Sequence, residues 1–185
     1  MLIDLNLNLL TDGVIIFKPY KYSDNICSKF NINEWHHIVT DIHNDQEWNS
    51  FINDYKEIIT CLSVYKCKNN EFIGFVYLYL EDYSKRIISV HGGGWTKSTE
   101  HSLLFYRASI CIIHHLLEQN IKVRTSCLRE NERAYKIIKS LGFVKYKTTE
   151  YFNLMWITRT RLYNNQIYKY LYRINKINKQ DIRRS

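Results

Sequence analysis

Asn131-Glu132-Arg133-Ala134-Tyr135-Lys136-Ile137-Ile138-Lys139-Ser140-Leu141-Gly142-Phe143 is the stretch on which the reading of this chain turns. Ala134, Ile137, Ile138 and Leu141 recur at three- and four-residue steps, which places them on one apolar stripe of a helix. Asn131 stands where a helix needs an acceptor for a free backbone N–H. Gly142 stands where it needs a residue that tolerates the left-handed conformation. Phe143 then opens a strand-like run. On the other side, residues 122–128 alternate as a strand, so the local order is strand, helix, strand.

Upstream, Thr99 to Gln119 reads as a long helix that is apolar almost all round, which marks a well-covered central element. A run of Gly92, Gly93, Gly94 and Trp95 precedes it, read as a Gly-rich turn after a strand from Arg86 to His91. Two earlier strands, Ile58 to Tyr65 and Phe72 to Leu80, are separated by polar turns at 68–71 and 81–84, which predicts an antiparallel meander. Val14 to Lys18 reads as a buried strand closed by Pro19. Asp24 is placed to cap a short helix through Phe30, Glu34 to Thr40 reads as a helix or turn, and Asp45 to Lys56 reads as a helix. Trp48, Phe51, Ile52 and Tyr55 fall on one face of that last helix. The acids around it, Glu47, Asp54 and Glu57, read as a solvated face in preference to the lip of a pocket for a cationic substrate. Strand, Gly-rich turn, helix and strand make a βαβ unit at the centre of a mixed sheet, so the fold class is α/β.

Asn-x-x-Ala followed by Leu-Gly-Phe, at 131–143, resembles the end of the acetyl-CoA-binding core of the GNAT N-acetyltransferase superfamily. Phe72-Ile73-Gly74-Phe75-Val76 resembles the hydrophobic–Gly–hydrophobic pattern of that family's third strand. The resemblance spans about residues 13 to 158 in element order. It implies a GNAT-like acyl-CoA N-acyltransferase fold over 1–158, with a helical extension over 159–185. It also implies transfer of an acetyl group from acetyl-CoA to the amine of a small-molecule or protein acceptor. Free N–H groups at a helix start bind anionic groups, so Lys97, Ser98 and Thr99 are the expected pyrophosphate contacts, with Asn131 on the cofactor arm. His91, at the end of a central strand, is the candidate base, since its ordinary pKa lies near neutrality. Its alternative is a strand-end histidine held by a backbone partner.

Two departures from the family pattern stand out. The motif Arg/Gln-x-x-Gly-x-Gly/Ala is missing between His91 and Ala108. Ile138 occupies the place where many members carry a Tyr that protonates the departing thiolate, so Tyr135, one turn earlier, is the candidate acid. These departures favour an alternative, a catalytically impaired binding module that acts through protein or RNA contacts of its tail. The letters His91-Gly-Gly-Gly-Trp95 also match an esterase oxyanion loop, but no Gly-x-Ser-x-Gly elbow accompanies them.

The composition is that of a globular protein: 185 residues, 45% hydrophobic and 15% aromatic, fit one domain with a substantial core. Five cysteines without a C-x-x-C pair, and no basic leader, lead us to expect reduced thiols in a cytoplasmic protein. The seven histidines are scattered, so no metal site is expected, and no run is long enough to span a membrane. From Arg159 onward eight Lys and Arg face one Asp, which accounts for seven of the net +8 charges. Tyr163, Ile167, Tyr170, Leu171, Ile174 and Ile177 recur at helical spacing, with Lys169, Arg173 and Lys176 on another face. This basic amphipathic helix is expected to dock on the body or pair two copies as a homodimer. Contact with nucleic acid or a membrane surface is the lesser alternative.

Overall fold

The computed structural model describes residues 5, 7, 10–29, 42–96 and 102–173. Strands β2 (Ile59–Lys66), β3 (Phe72–Asp82) and β4 (Ile87–Trp95) form the expected antiparallel meander, and β1 (Ile15–Pro19) pairs antiparallel with the outer side of β2. Helices α1 (Ile26–Lys29) and α2 (Asp45–Asp54) lie between β1 and β2 in the chain. After β4 come α3 (Leu103–Glu118), β5 (Lys122–Leu128), α4 (Glu132–Ser140), β6 (Val144–Thr148), β7 (Phe152–Ile157) and α5 (Arg159–Asn164). The strands make one seven-stranded sheet in the order β1-β2-β3-β4-β5-β7-β6. The β4–β5 pair is parallel, as a helical crossover requires; the other pairs are antiparallel.

Alternation of side chains sorts the sheet into two faces. Phe17, Leu62, Val64, Val76, Leu78, Ile88, Val90 and Val123 join Ile112, Ile113 and Leu116 of α3 in the larger core. On the opposite face Cys61, Phe75 and Tyr77 pack with Ile26, Cys27 and Trp48 from α1 and α2. The buried Arg107 of α3 forms an ion pair of 2.7 Å with Asp12, which ties the central helix to the turn before β1.

Several boundaries differ from the sequence expectation. Glu81 and Asp82 belong to β3 and are not in a turn. The glycines after His91 belong to β4, because a strand partner holds them. Gly74 pairs with Trp95 while Val76 pairs with Gly92, so β4 carries one extra residue there, a bulge. Asp24 does not cap α1. Its carboxylate turns inward and accepts from Ser63 Oγ and from Tyr65 OH, the latter at 2.7 Å. Asn44 caps α2, accepting from Glu47 N at 2.9 Å. The expected helix or turn at 34–40 lies outside the described residues. Helix α3 starts at Leu103 and not at Thr99, because Ser102 is its N-cap: its backbone is extended and its hydroxyl accepts from Leu104 N.

The tail is two helical pieces, not one. Helix α5 stops at Asn164 and residues 166–173 form a second segment. Asn165 punctuates them: its Oδ1 accepts from Ile167 N at 2.9 Å and its Nδ2 donates to Ser140 O at 2.7 Å. Both pieces dock on the body, with Leu162 and Leu171 in the larger core. Arg159 Nε donates to Leu117 O at 2.8 Å, so the guanidinium satisfies carbonyls left free at the end of α3. His114, Tyr163 and Tyr168 form an aromatic cluster over the same helix end. Tyr170, expected on the packed stripe, is 56% exposed, because the break at Asn165 resets the helical phase. Ile174 and Ile177 lie outside the described residues.

Candidate active site

Strands β4 and β5 pair over three rungs only: Ile87 with Lys122, Ile88 with Val123, Ser89 with Arg124. Glu81 of β3 fastens the last rung. It accepts from Ser89 Oγ and pairs with Arg124 Nη1 at 2.8 Å. Beyond it β4 runs on to Trp95 and β5 to Leu128 without pairing. The β5-facing edge of β4 from Val90 onward is therefore open, and backbone donors and acceptors on such an edge recruit another extended chain.

A cavity of about 430 Å³ fills the splay. On the α3 side its wall is Val76, Val90, Ser109, Ile112 and Thr125. Helix α4 adds Ala134, Ile137, Ile138 and, just beyond its end, Leu141, the very stripe read from the sequence. The helix is built as its letters predict. Asn131 Oδ1 accepts from Ala134 N at 2.9 Å, and Gly142 ends it at φ 102°. Asn131 also lines the cavity, so capping and a place at the site coexist.

His91 lies in the wall, half-buried, with its ring stacked on Tyr77 across the β3–β4 ladder at 4.9 Å and 13°. Burial pulls its pKa down to about 4, against a smaller opposing pull from Glu81. At neutral pH the ring is uncharged and has a free lone pair. Trp95 packs edge-on to Phe105 at 5.2 Å and also lines the cavity. Its indole N–H is buried with no acceptor among the described residues. A buried donor of this kind is rare without a partner.

Tyr135 is not brought to the cavity. Its ring faces the ammonium groups of Lys139 at 5.6 Å and Lys145 at 6.0 Å. The cause is helix geometry: at 100° per residue it sits about 60° round the axis from Ile138, which does line the cavity. Lys97, Ser98 and Thr99 lie outside the described residues. Sequence reasoning missed Tyr77, Ser126, Leu128 and Phe152, all cavity-lining. Only strand register places these beside His91; no local pattern marks them. Among the described residues no cluster of His, Cys, Asp or Glu is set to hold a metal ion, and no helix is long and apolar enough to cross a membrane.

The sequence matches no protein-family model and no curated protein. Solved structures do match. A probable GNAT-family acetyltransferase from Chromobacterium violaceum superposes with a TM-score of 0.72 at 9% identity, over 84% of this chain and 88% of its own. Spermidine N-acetyltransferase from Vibrio cholerae, solved with CoA and spermine, gives 0.69 at 14% identity, over 82% and 99%. The ribosomal-protein-S5-alanine acetyltransferase of Vibrio fischeri gives 0.60 at 18% identity, over 78% and 92%. The fold of this chain is thus the GNAT acetyltransferase fold, as the Asn131-to-Phe143 stretch led us to expect.

Proposed function

We propose that this protein is an N-acetyltransferase that uses acetyl-CoA and an amine acceptor. The reading rests on one observation above the rest: the parallel pair β4–β5 separates after Ser89 and Arg124 into a cavity with an open strand edge. A thin amide-bearing arm fits that edge, since its amides can replace the missing ladder partner. The orphan indole N–H of Trp95 supplies one further donor. We assign the anionic end to the free N–H groups at the start of α3, after its cap Ser102, with Lys97, Ser98 and Thr99 just before it in the chain and Asn131 beside the arm.

When bound, acetyl-CoA supplies an acyl group already activated as a thioester. The chain then has three tasks: to hold the acceptor nitrogen in line, to exclude water, and to take up the proton the nitrogen loses. Ala134, Ile137, Ile138 and Leu141 keep the α4 wall dry. His91 takes the proton, directly or through one water, because it is unprotonated above about pH 4. As a weak base it favours acceptors that arrive already neutral. Tyr135 is not assigned as the acid, given its place beside Lys139 and Lys145. The departing thiolate is protonated by solvent or by the substrate itself.

Calorimetric titration with acetyl-CoA tests the reading, followed by chromatographic detection of CoA released in the presence of amines. Exposed Cys67 makes thiol-reactive dyes unsuitable. Absence of binding at millimolar acetyl-CoA refutes it. The fully apolar α4 wall, with Ile138 in place of a hydroxyl, favours a second reading: a cofactor-binding module without turnover. Acetyl-CoA binding without CoA release on any amine would select that one.

A further inference from the structure

The cavity passes through the sheet. Val90, Thr125 and Cys127 belong to the face under α3 and α4, while Tyr77, His91, Ser126, Leu128 and Phe152 belong to the other. Register fixes this second mouth. Tyr77 and His91 are partners on one lip; across the splay, Ser126 pairs with Leu154 and Leu128 with Phe152 on the other. The rung beside it, where β4 and β5 close, carries Tyr79, Ser89, Arg124 and Trp156. Tyr79, Phe152 and Trp156 are exposed, at 37, 38 and 45%.

The chemistry of this mouth is one-sided. Among the described residues, no Asp, Glu, Lys or Arg lines the cavity. The carboxylate on the neighbouring rung, Glu81, is already taken by Arg124 and Ser89. An ammonium drawn into such a wall finds no counter-charge among the described residues, and burying one unpaired is strongly unfavourable. An aromatic body meets rings and aliphatic side chains and gains by burial and by edge or stacked contact.

We infer that the acceptor is a primary amine carried on an aromatic body, taken up through the Tyr77–Phe152 mouth in its uncharged form, and not a polyamine. The inference rests on the acetyl-transfer reading for the role of the amine, but it concerns a different surface from the cofactor edge. Phe152 and Leu128 hold the aromatic body, and His91 faces the nitrogen. The depressed basicity of His91 agrees with an acceptor that enters uncharged.

The test separates the two readings. Calorimetry with CoA on the full chain reports the cofactor edge. 2-Phenylethylamine and spermidine are then titrated separately into the CoA-saturated protein, or into free protein if CoA does not bind. The expected result is 2-phenylethylamine binding at least roughly tenfold tighter than spermidine. Phe152→Ala should weaken 2-phenylethylamine by about tenfold and leave the CoA affinity unchanged. Ser126→Asp, which puts a carboxylate on the lip, should shift the preference toward spermidine. Loss of CoA binding alone sinks the acetyl-transfer reading. CoA binding with spermidine equal to or tighter than 2-phenylethylamine overturns the acceptor inference, as does no detectable binding of 2-phenylethylamine. Unchanged amine affinities in both variants, with parental melting temperatures, overturn it as well.

Discussion

Gly93→Ala is the most direct probe of how β4 is held open. A Cβ at this position would lie far inside contact distance of both Phe75 Cε2 and Phe75 O. Non-bonded carbon atoms pack at about 3.5–4.0 Å, so either the ring and carbonyl of Phe75 or the β4 backbone must move. Neither neighbour gives way easily. The Phe75 ring is fully buried and boxed by Trp48, whose centroid is 5.4 Å away. The Phe75 carbonyl belongs to the backbone of β3, between two β-ladders. Overpacking a core commonly costs about 1–3 kcal/mol, and a backbone obstacle puts this case at the upper end, about 3 kcal/mol. For a chain of this size each kcal/mol moves the melting temperature by about 2–4 °C, so a fall of about 6–12 °C is expected. Urea denaturation should show a lower midpoint at unchanged slope, since the surface exposed on unfolding is the same. Because Gly93 lines the cavity, the displaced strand should also weaken acetyl-CoA binding. Phe75→Leu in the same chain relieves the ring but not the carbonyl, so the double variant should recover only part of the loss. A Gly93→Ala protein that melts within about 1 °C of the parent would refute the close β3–β4 approach and the strand assignment of the glycine run.

Stability should fall as pH drops from 6.5 toward 4. The folded protein holds His91 at about 4, so it binds fewer protons than the unfolded chain across that window. The loss should reach on the order of 3 kcal/mol below pH 4, and His91→Gln should flatten the slope of chemical denaturation against pH. For the same reason, kcat/KM should show no inflection near pH 6.5, and a His-like inflection there would refute the burial of this ring. His91→Gln should lower turnover by ~10²-fold without lowering the melting temperature at pH 8, which an activity assay and a thermal scan measure together. Asn131→Ala should cost about 1 kcal/mol by removing the α4 cap, while Asn131→Asp should retain most of it, read by denaturant titration. Leu162→Ala should cost about 2–5 kcal/mol, because Leu162 of the tail helix α5 is fully buried against the body, and an unchanged melting temperature would show that α5 does not dock.

The α4 unit was legible because its information is local. Asn131 at the cap, the Ala134–Leu141 stripe and Gly142 at the stop each act within a few residues, through hydrogen bonds and side-chain periodicity. The meander was legible for a similar reason, since alternation and polar turns mark each strand. The glycine run was not, because strand and turn differ there only by what lies opposite, and that is the Gly74–Val76 segment of another strand, paired with Trp95 and Gly92. Tyr135 illustrates a finer limit: spacing placed it on a similar face to residue 138, but a rotation of about 60° puts it beside lysines and not in the cavity.

The sequence by itself determined a mixed α/β chain with a capped helix after the central crossover, and a basic tail with an apolar side. These follow from short-range physics that each segment carries with it. The tertiary structure alone decided that β7 lies between β5 and β6, that β4 and β5 part after three rungs, the last fastened by Glu81, and that the tail folds back as two pieces. It alone decided which side chains meet at the second mouth. Tyr77, His91, Ser126 and Phe152 are far apart in the chain and become neighbours only through strand register, which is set by the packing of both faces at once.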